Sequence, residues 1–353
     1  MRQRTTDYGQ RTAFELRQIP KLELHVHLEG AMGPGFLREL SRRYGTSLGK
    51  EGEDLVSELY AFRTFSEFLN AYKVCCEHLK GPEDYGRLAG VLIQQLADQR
   101  CVYAEIFFTP SICKRFGLPV EEVIEAVLER TSSPSRSGVH ARWIFDCVRQ
   151  WGPDPCWQTL EWATRYQNRG VVGISIGGDE ASIPARAFRD VFETAEKSGL
   201  HRTAHAGEIC DARSVWGAIE ELRAERIGHG IRALEDPMLV DYLKRNNLAL
   251  DLSITSNWRT GAVSGEWGKE GGVRKAECGI RTHPIVEIVR AGIPFTVNTD
   301  DPGLLQTTLE REWELAAQIL GWFPEQFVEM TRRTLGYAFL GEEERGEIRR
   351  LLM

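Results

Sequence analysis

The chain has 353 residues, of which 42% are hydrophobic and 27% charged, and its net charge is −7. This composition is ordinary for a water-soluble globular protein, and the acidic balance argues against nucleic acid or an anionic membrane surface as its partner. The N-terminal residues do not resemble a secretion signal, and no apolar run approaches the ~20 residues of a membrane span, so we expect a cytoplasmic protein.

Eight short apolar segments alternate with helical segments along the chain. The predicted strands are 23–28, 102–108, 141–148, 171–176, 202–205, 226–229, 248–254 and 294–298. The clearest predicted helices are 120–130, 185–198, 236–245 and 284–290. Eight strand–helix units predict a parallel sheet closed into a (β/α)₈ TIM barrel, and we expect a single domain over residues 1–353.

Two segments exceed the length of a simple connection. Residues 36–80, rich in Leu, Tyr and Phe, follow the first predicted strand, and we expect extra helices there that cap a pocket. The Gly-rich segment 264–280 lies in the loop after the seventh strand, on the same predicted face. Past Pro302 the sequence predicts helix up to the C-terminus.

Histidines and one carboxylate occur where several predicted strands end. His25 and His27 stand two apart, so both side chains point to one side of the first strand. His205 ends the fifth strand, His229 ends the sixth, and Asp300 follows the eighth. Because functional residues of such barrels collect at the carboxyl ends of the strands, we expect these side chains to converge.

Imidazole and carboxylate without thiolate form a donor set that suits Zn²⁺, although other divalent ions remain possible. A metal with an open position acidifies water, which is what a hydrolase needs. Glu208, three residues after His205, opens the next loop and is a candidate general acid or base. Asp301 stands beside Asp300, so a division of roles between metal ligand and substrate contact would relieve their like charges.

Six motifs together resemble the adenosine deaminase family, and they occur in the family's order. They are PKLELHVHLEGA at 20–31, GISIGGDE at 173–180, HRTAHAGE at 201–208, RIGHG at 226–230, SNWRTGA at 256–262 and VNTDDPG at 297–303. The resemblance covers residues 14–340 and implies zinc-dependent hydrolysis of the 6-amino group of a purine, which releases ammonia.

The same resemblance implies a role for each site residue. One Zn²⁺ per chain would be held by His25, His27, His205 and Asp300. His229 would orient the attacking water, and Glu208 would protonate N1 of the purine. Asp301 would bind N7, and the backbone N–H of Gly178 would meet N3. The expected partner is a small 6-aminopurine, and the sequence predicts no particular oligomeric state.

Three features depart from the family pattern. Glu29 stands where the adenosine enzymes commonly have an Asp that contacts ribose, and Ser175 replaces an Asp often found on the fourth strand. The third is the segment 264–280, which suggests a modified lid or a larger purine substituent. Arg259 lies on the same face and is a candidate contact for an anionic group on a modified adenosine, such as the benzoate of aminodeoxyfutalosine. The alternative is a structural role in which Arg259 pairs with a neighbouring Glu.

Other functions remain to be weighed. Free adenine and aminodeoxyfutalosine are alternative substrates to adenosine within the same chemistry. A cytosine-type base deaminase needs a PCxxC zinc site, whereas the eight cysteines here, which we expect to be reduced thiols, form no CxxC pair. A two-metal amidohydrolase and a non-catalytic binding protein on the same fold are the more remote interpretations.

Overall fold

The fold was analysed in a computed structural model that describes residues 13–49, 54–131, 137–263 and 283–353. Eight parallel strands neighbour one another in sequence order from β1 to β8. Their bounds are β1 Lys21–His27, β2 Cys101–Phe108, β3 His140–Val148, β4 Val171–Gly177, β5 His201–Ala206, β6 Arg226–His229, β7 Ala249–Leu252 and β8 Phe295–Val297. A parallel bridge between Val26 and Asp300 returns the end of the eighth unit to β1. The predicted (β/α)₈ barrel is therefore confirmed.

Helices surround this barrel. Their bounds are Pro34–Tyr44, Leu55–Leu59, Phe65–His78, Pro82–Asp98, Pro110–Arg115, Val120–Thr131, Pro153–Arg165, Arg189–Lys197, Ala212–Glu220, Pro237–Arg245, Ile254–Arg259, Ile285–Ala291, Pro302–Leu305, Leu309–Leu320, Pro324–Tyr337 and Glu342–Leu351. Within the four described ranges, no helix combines the length and the apolar character that crossing a bilayer requires.

Two predicted elements differ from the structure. The predicted helix 185–198 is divided into a 3₁₀ turn, Ala185–Phe188, and an α-helix, Arg189–Lys197, after Pro184 fixes an extended start. The predicted strand 248–254 ends at Leu252, because helix Ile254–Arg259 begins directly behind it. The Gly-rich segment 264–280 lies outside the described residues.

The alternation of side chains along β1 shows how the sequence builds the barrel. Leu22, Leu24 and Val26 join hydrophobic clusters, so this side of the strand packs on the helices. The intervening residues of β1, Glu23 and His25 among them, are polar, equally buried and directed into the barrel. Burial of charge on this scale requires partners from the other strands, and β5 to β8 supply them.

The segment after β1 forms the predicted helical insertion, with helices Pro34–Tyr44, Leu55–Leu59 and Phe65–His78. The last of these begins with a capping box, in which Thr64 Oγ1 accepts from the Glu67 N–H and the Glu67 carboxylate accepts from the Thr64 N–H. This fixed start directs one face of the helix toward the carboxyl ends of the strands.

Candidate active site

Five of the predicted site residues meet at the carboxyl end of the barrel. The Nε2 atoms of His25 and His205 are 3.0 Å apart, and those of His27 and His205 are 3.2 Å apart. Asp300 Oδ1 lies 3.4 Å from the Nε2 atoms of both His25 and His27. His229 Nε2 is somewhat farther, 3.9 Å from Asp300 Oδ2. Residues from four separate parts of the chain thus present donor atoms to one point.

The backbone reaches this geometry by accepting unusual torsions. His229 and Asp300 both adopt positive φ values, 61° and 65°. Asp300 is held there by β1, because its N–H donates to the His25 carbonyl at 3.0 Å and its carbonyl accepts from the His27 N–H at 2.7 Å. Such torsions cost on the order of 1–3 kcal/mol in a non-glycine residue and are typical of functional sites.

These donor atoms fit a metal ion. Tetrahedral Zn²⁺ with Zn–N bonds of about 2.0–2.1 Å separates neighbouring ligand atoms by about 3.3–3.4 Å. The separations among His25, His27, His205 and Asp300 are 3.0–3.4 Å where they are closest. Ligand atoms of His25, His205, His229 and Asp300 also lie within 4.8 Å of one another. The two sets share His25, His205 and Asp300, and they differ in whether His27 or His229 is the fourth member.

Burial controls the protonation of the histidines. It lowers the pKa of His27 to about 3, and it holds the pKa of His205 well below its usual range. Burial acts in the same direction on His25, but the carboxylates of Asp251 and Asp300 outweigh it and raise that pKa to about 9. The two carboxylates favour a positive charge beside His25, which either a proton or a metal ion can supply. A bound metal ion takes the place of the proton, because neutral imidazole is the form that binds metal.

Two residues of the SNWRTGA motif form hydrogen bonds with the side chains of the site. Ser256 Oγ donates to Asp300 Oδ2 at 2.6 Å, and Asn257 Nδ2 is 3.1 Å from His229 Nδ1. This contact fixes the orientation of the imidazole ring and leaves Nε2 of His229 to face the site. Sequence reasoning assigned no role to either residue, although the motif itself marked this stretch.

Glu208, on the loop after β5, lies beside His229, which ends β6. Its Oε2 is 3.7 Å from His229 Nε2, and Thr260 Oγ1 donates to its Oε1 at 3.4 Å. Burial, together with the nearby charges of Asp300 and Glu180, raises the pKa of Glu208 well above its usual range. The side chain is therefore suited to hold a proton near neutral pH and to act as a general acid.

The loop that carries Glu208 is held by a second buried glutamate, Glu180. Its carboxylate accepts hydrogen bonds from four successive backbone N–H groups, those of Gly207, Glu208, Ile209 and Cys210. Four donors on one carboxylate fix the turn that presents Glu208. The sequence predicts no role for Glu180, although the residue stands in the GISIGGDE motif.

Asp301 reaches the site next to Asp300 and is also buried. Burial and the charge of Asp300 raise the pKa of Asp301 well above its usual range, whereas the pKa of Asp300 stays well below its own. The adjacent carboxyls therefore separate into one ionised and one protonated group. Gly30 makes room for this pair, since a Cβ there would lie only 1.7 Å from Asp301 Oδ1.

One cavity of about 460 Å³ opens onto these groups. Its floor consists of polar site residues: His27, His205, Glu208, His229, Asp300 and Asp301. Its walls are largely aromatic and apolar: Phe65, Phe68, Leu69, Tyr72, Ile112, Phe116, Val148 and Trp151. The helical insertion supplies Phe65, Phe68 and Tyr72, so it lines the cavity as expected. This volume lies within the range of small-molecule sites.

Of the remaining predicted residues, one lines the cavity and two do not. Gly178 lines the cavity with φ of +90°, a torsion that favours glycine. Glu29 accepts from the Thr109 N–H at 3.1 Å and from the Tyr72 hydroxyl at 3.3 Å, and Arg259 donates to the carbonyls of Tyr60 and Leu304. Neither Glu29 nor Arg259 is among the described residues that line the cavity.

A barrel with these ligand-like side chains and a buried acid at its carboxyl face is the architecture of a metal-dependent hydrolase. The adenosine deaminase family profile matches residues 20–353, and the chain belongs to that family. It is therefore a hydrolytic deaminase of the metal-dependent amidohydrolase class, and the interpretation as a non-catalytic binding protein is set aside.

Individual relatives agree with this assignment. The chain is 32% identical over 325 residues to an aminodeoxyfutalosine deaminase of Streptomyces coelicolor. The aligned region covers 91% of this chain and 80% of that protein. It is 32% identical over 328 residues to an adenine deaminase of Rhizobium leguminosarum bv. trifolii, with 93% and 97% coverage. The crystal structure of an adenine deaminase from Arthrobacter aurescens has the same fold, with a TM-score of 0.84 at 24% identity over 95% of this chain and 98% of that one.

Proposed function

We propose that this protein hydrolyses the exocyclic amine of a 6-aminopurine nucleoside, adenosine or a modified adenosine, to give the 6-oxopurine and ammonia. The observation that carries the proposal is the convergence of the histidine–aspartate donor set with two buried acids, Glu208 and Asp301, on the floor of one cavity. The relatives named above, which deaminate adenine or aminodeoxyfutalosine, support a 6-aminopurine as the reacting group.

The proposed cofactor is one Zn²⁺ per chain, with His25, His27, His205 and Asp300 as its ligands. When bound, the ion supplies Lewis-acid activation of water at neutral pH. Asp300 contributes the negative charge of the set, and Ser256 fixes its carboxylate through the 2.6 Å hydrogen bond to Oδ2. The neutral histidines contribute nitrogen donors from β1 and β5.

The chain's own residues then divide the remaining chemistry. Glu208, protonated by virtue of its burial, donates its proton to ring N1, which makes C6 more electrophilic as water adds there. His229 lies 3.7 Å from Glu208 and orients the water while stabilising the charge that develops. Asp301, protonated, donates to N7, and the Gly178 N–H meets N3. One proton of the water passes to the amino group, which leaves as ammonia when the C6–N bond breaks, and the other restores the proton that Glu208 gave to N1.

The size and lining of the cavity support a nucleoside as the substrate. Its volume of about 460 Å³ and its aromatic and apolar lining suit a ligand larger than a purine ring alone. Two cations, Lys73 and Arg115, also line it, and Arg115 stacks over Trp151 with its guanidinium 4.7 Å from the ring centroid. These cations favour a second candidate, a modified adenosine that carries an anionic group.

A substrate panel tests the proposal. Purified protein with measured zinc content is incubated with adenosine, 2′-deoxyadenosine, adenine and aminodeoxyfutalosine, and ammonia and the loss of 6-amino absorbance are followed. We expect kcat/KM to be highest for one of the nucleosides. A preference for adenine would replace the proposed substrate, and the absence of ammonia from all four compounds at full zinc occupancy would contradict the proposed reaction.

A further inference from the structure

Asp146 is a buried acid of the active-site cavity to which neither the family resemblance nor the proposed chemistry gives a role. It lies near the carboxyl end of β3, its residue is 5% exposed, and it lines the same cavity as the site residues. Within the part of the chain that the structure describes, its Oδ1 atom has no hydrogen-bond partner. An unpaired buried carboxyl oxygen is costly unless a ligand satisfies it.

The neighbouring strand, β4, has no acidic residue at the position beside Asp146. Asp146 pairs in register with Ser175 on β4, the position at which family members often carry an Asp. Gly177 follows on β4, and a Cβ added there would lie 3.1 Å from both Asp146 Oδ2 and His205 Nδ1. At this level of the barrel, the acid therefore comes from β3, across a gap that glycine leaves open.

The nearby cation Arg149 does not pair with this carboxyl. Arg149, three residues further on, donates to the His205 carbonyl at 2.9 Å and to the Ile183 carbonyl at 3.3 Å. No salt bridge joins Asp146 to any cation of the described ranges. The Ser175 side chain also acts on this carboxyl, in the direction that lowers its pKa, so the partner that remains for Oδ1 is a donor from the substrate.

The position of Asp146 identifies which donor this is. In the proposed binding mode, the ring nitrogens N1, N7 and N3 face Glu208, Asp301 and Gly178. Gly178 follows Gly177 on the wall that Asp146 shares, so this wall faces the N3 edge of the purine. N3 and N9 are bonded to the same ring carbon, C4, and the sugar is attached at N9. The donors closest to this wall are therefore the sugar hydroxyls.

We propose that Asp146 is a specificity-determining residue that accepts a hydrogen bond from a secondary sugar hydroxyl, 2′ or 3′, of the nucleoside substrate, an inference that rests on the proposed function. Glu29, at the position expected to contact ribose, is not among the described residues that line the cavity, and its carboxylate accepts from Thr109 and Tyr72. Asp146, on β3, contacts the sugar in place of Glu29.

The test compares Asp146→Asn with wild type on substrates that differ only in sugar hydroxyls. With adenosine we expect kcat/KM to fall about tenfold, mainly through KM, since the charged carboxylate acceptor is replaced by an amide oxygen, whose hydrogen bond is weaker. With 2′,3′-dideoxyadenosine, which lacks both secondary hydroxyls, the variant should equal wild type. Asp154→Asn, on an exposed part of helix Pro153–Arg165, is the matched control.

A binding measurement gives a readout that does not depend on turnover. Calorimetric titration with inosine should show weaker binding to Asp146→Asn, whereas titration with hypoxanthine should show no change. Equal losses on adenosine and its dideoxy analogue, accompanied by reduced zinc content, would overturn the inference and assign Asp146 to the support of His205. Unchanged kinetics on adenosine would also overturn it. Wild type that deaminates adenine but no nucleoside would instead refute the proposed function.

Discussion

Arg226 and Asp251 form a fully buried ion pair beneath the active site, with Nε 2.6 Å from Oδ2. The same Oδ2 atom lies 3.7 Å from Nδ1 of His25, and Arg226 also binds Glu105 at 2.7 Å through Nη2. Phe339, from the C-terminal segment, covers the guanidinium at 4.4 Å. A network of buried charge therefore connects the lower half of the barrel to a proposed metal ligand.

Replacement of Arg226 tests this network. Arg226→Met leaves two buried carboxylates without their cation, and we expect the free energy of unfolding to fall by about 3–5 kcal/mol. Denaturant unfolding at pH 7 measures the change. Arg189→Met, which removes an exposed pair with Glu221, is the control and should cost less than about 1 kcal/mol. Equal losses in the two variants would contradict a special role for the buried pair.

The strand-end residues were predictable because the carboxyl ends of parallel strands meet at one face, so that His25, His205 and Asp300 had to converge once the barrel was recognised. The buried network was not predictable, since Arg226 and Glu105 are 121 residues apart and neither stands in a local pattern that names the other. A role for Asp146 was not predictable for a similar reason. Its importance depends on register with Ser175, which only the paired strands reveal.

Glu180 should act as a positioning residue for the loop after β5. In Glu180→Gln the side chain keeps one oxygen acceptor for four backbone N–H groups, so we expect unfolding free energy to fall by about 1–3 kcal/mol. Because Glu208 is then less well placed, kcat should also fall, while KM changes less. Asp179→Asn, at the adjacent position, is the control. A variant with reduced stability but unchanged kcat would show that Glu180 does not position Glu208.

Glu208→Gln tests the proposed general acid. The amide keeps the size of the side chain but has no proton to transfer at neutral pH, so we expect kcat to fall about 10²- to 10⁴-fold. Steady-state kinetics on the preferred nucleoside measure the effect, with zinc content and the melting temperature recorded alongside. Glu220→Gln, on the outer face of helix Ala212–Glu220, is the control. A kcat within a few-fold of wild type would remove Glu208 from the mechanism.

Metal removal tests the donor set independently of substrate. After dialysis against a strong chelator we expect activity to disappear and Tm to fall, since a ligand at 1,000 times its Kd stabilises the folded state by about 4 kcal/mol. Addition of Zn²⁺ should restore both. His205→Ala should bind less zinc, whereas His201→Ala, at an exposed position on the same strand, should bind as wild type does. Full activity in metal-free protein would refute the proposed cofactor.

The buried Glu23 should impose a pH dependence on stability. Its carboxylate accepts from the Thr299 N–H at 3.0 Å and from Thr299 Oγ1 at 3.2 Å, but burial outweighs these bonds and raises its pKa from 4.5 to about 8. Between these values the folded chain keeps a proton that the unfolded chain has released. Stability therefore decreases as pH rises through this window, by up to about 1.4 kcal/mol per pH unit.

Glu23→Gln carries no such proton, so we expect the stability of the variant relative to wild type to rise from pH 5 to pH 8 and to level off above it. Urea unfolding at pH 5, 6, 7, 8 and 9 measures the difference. Glu343→Gln, on exposed helix Glu342–Leu351, should follow the wild-type curve at every pH. Parallel curves for wild type and Glu23→Gln would mean that Glu23 is ionised in the folded protein, with its charge compensated by Thr299 and the histidines above it.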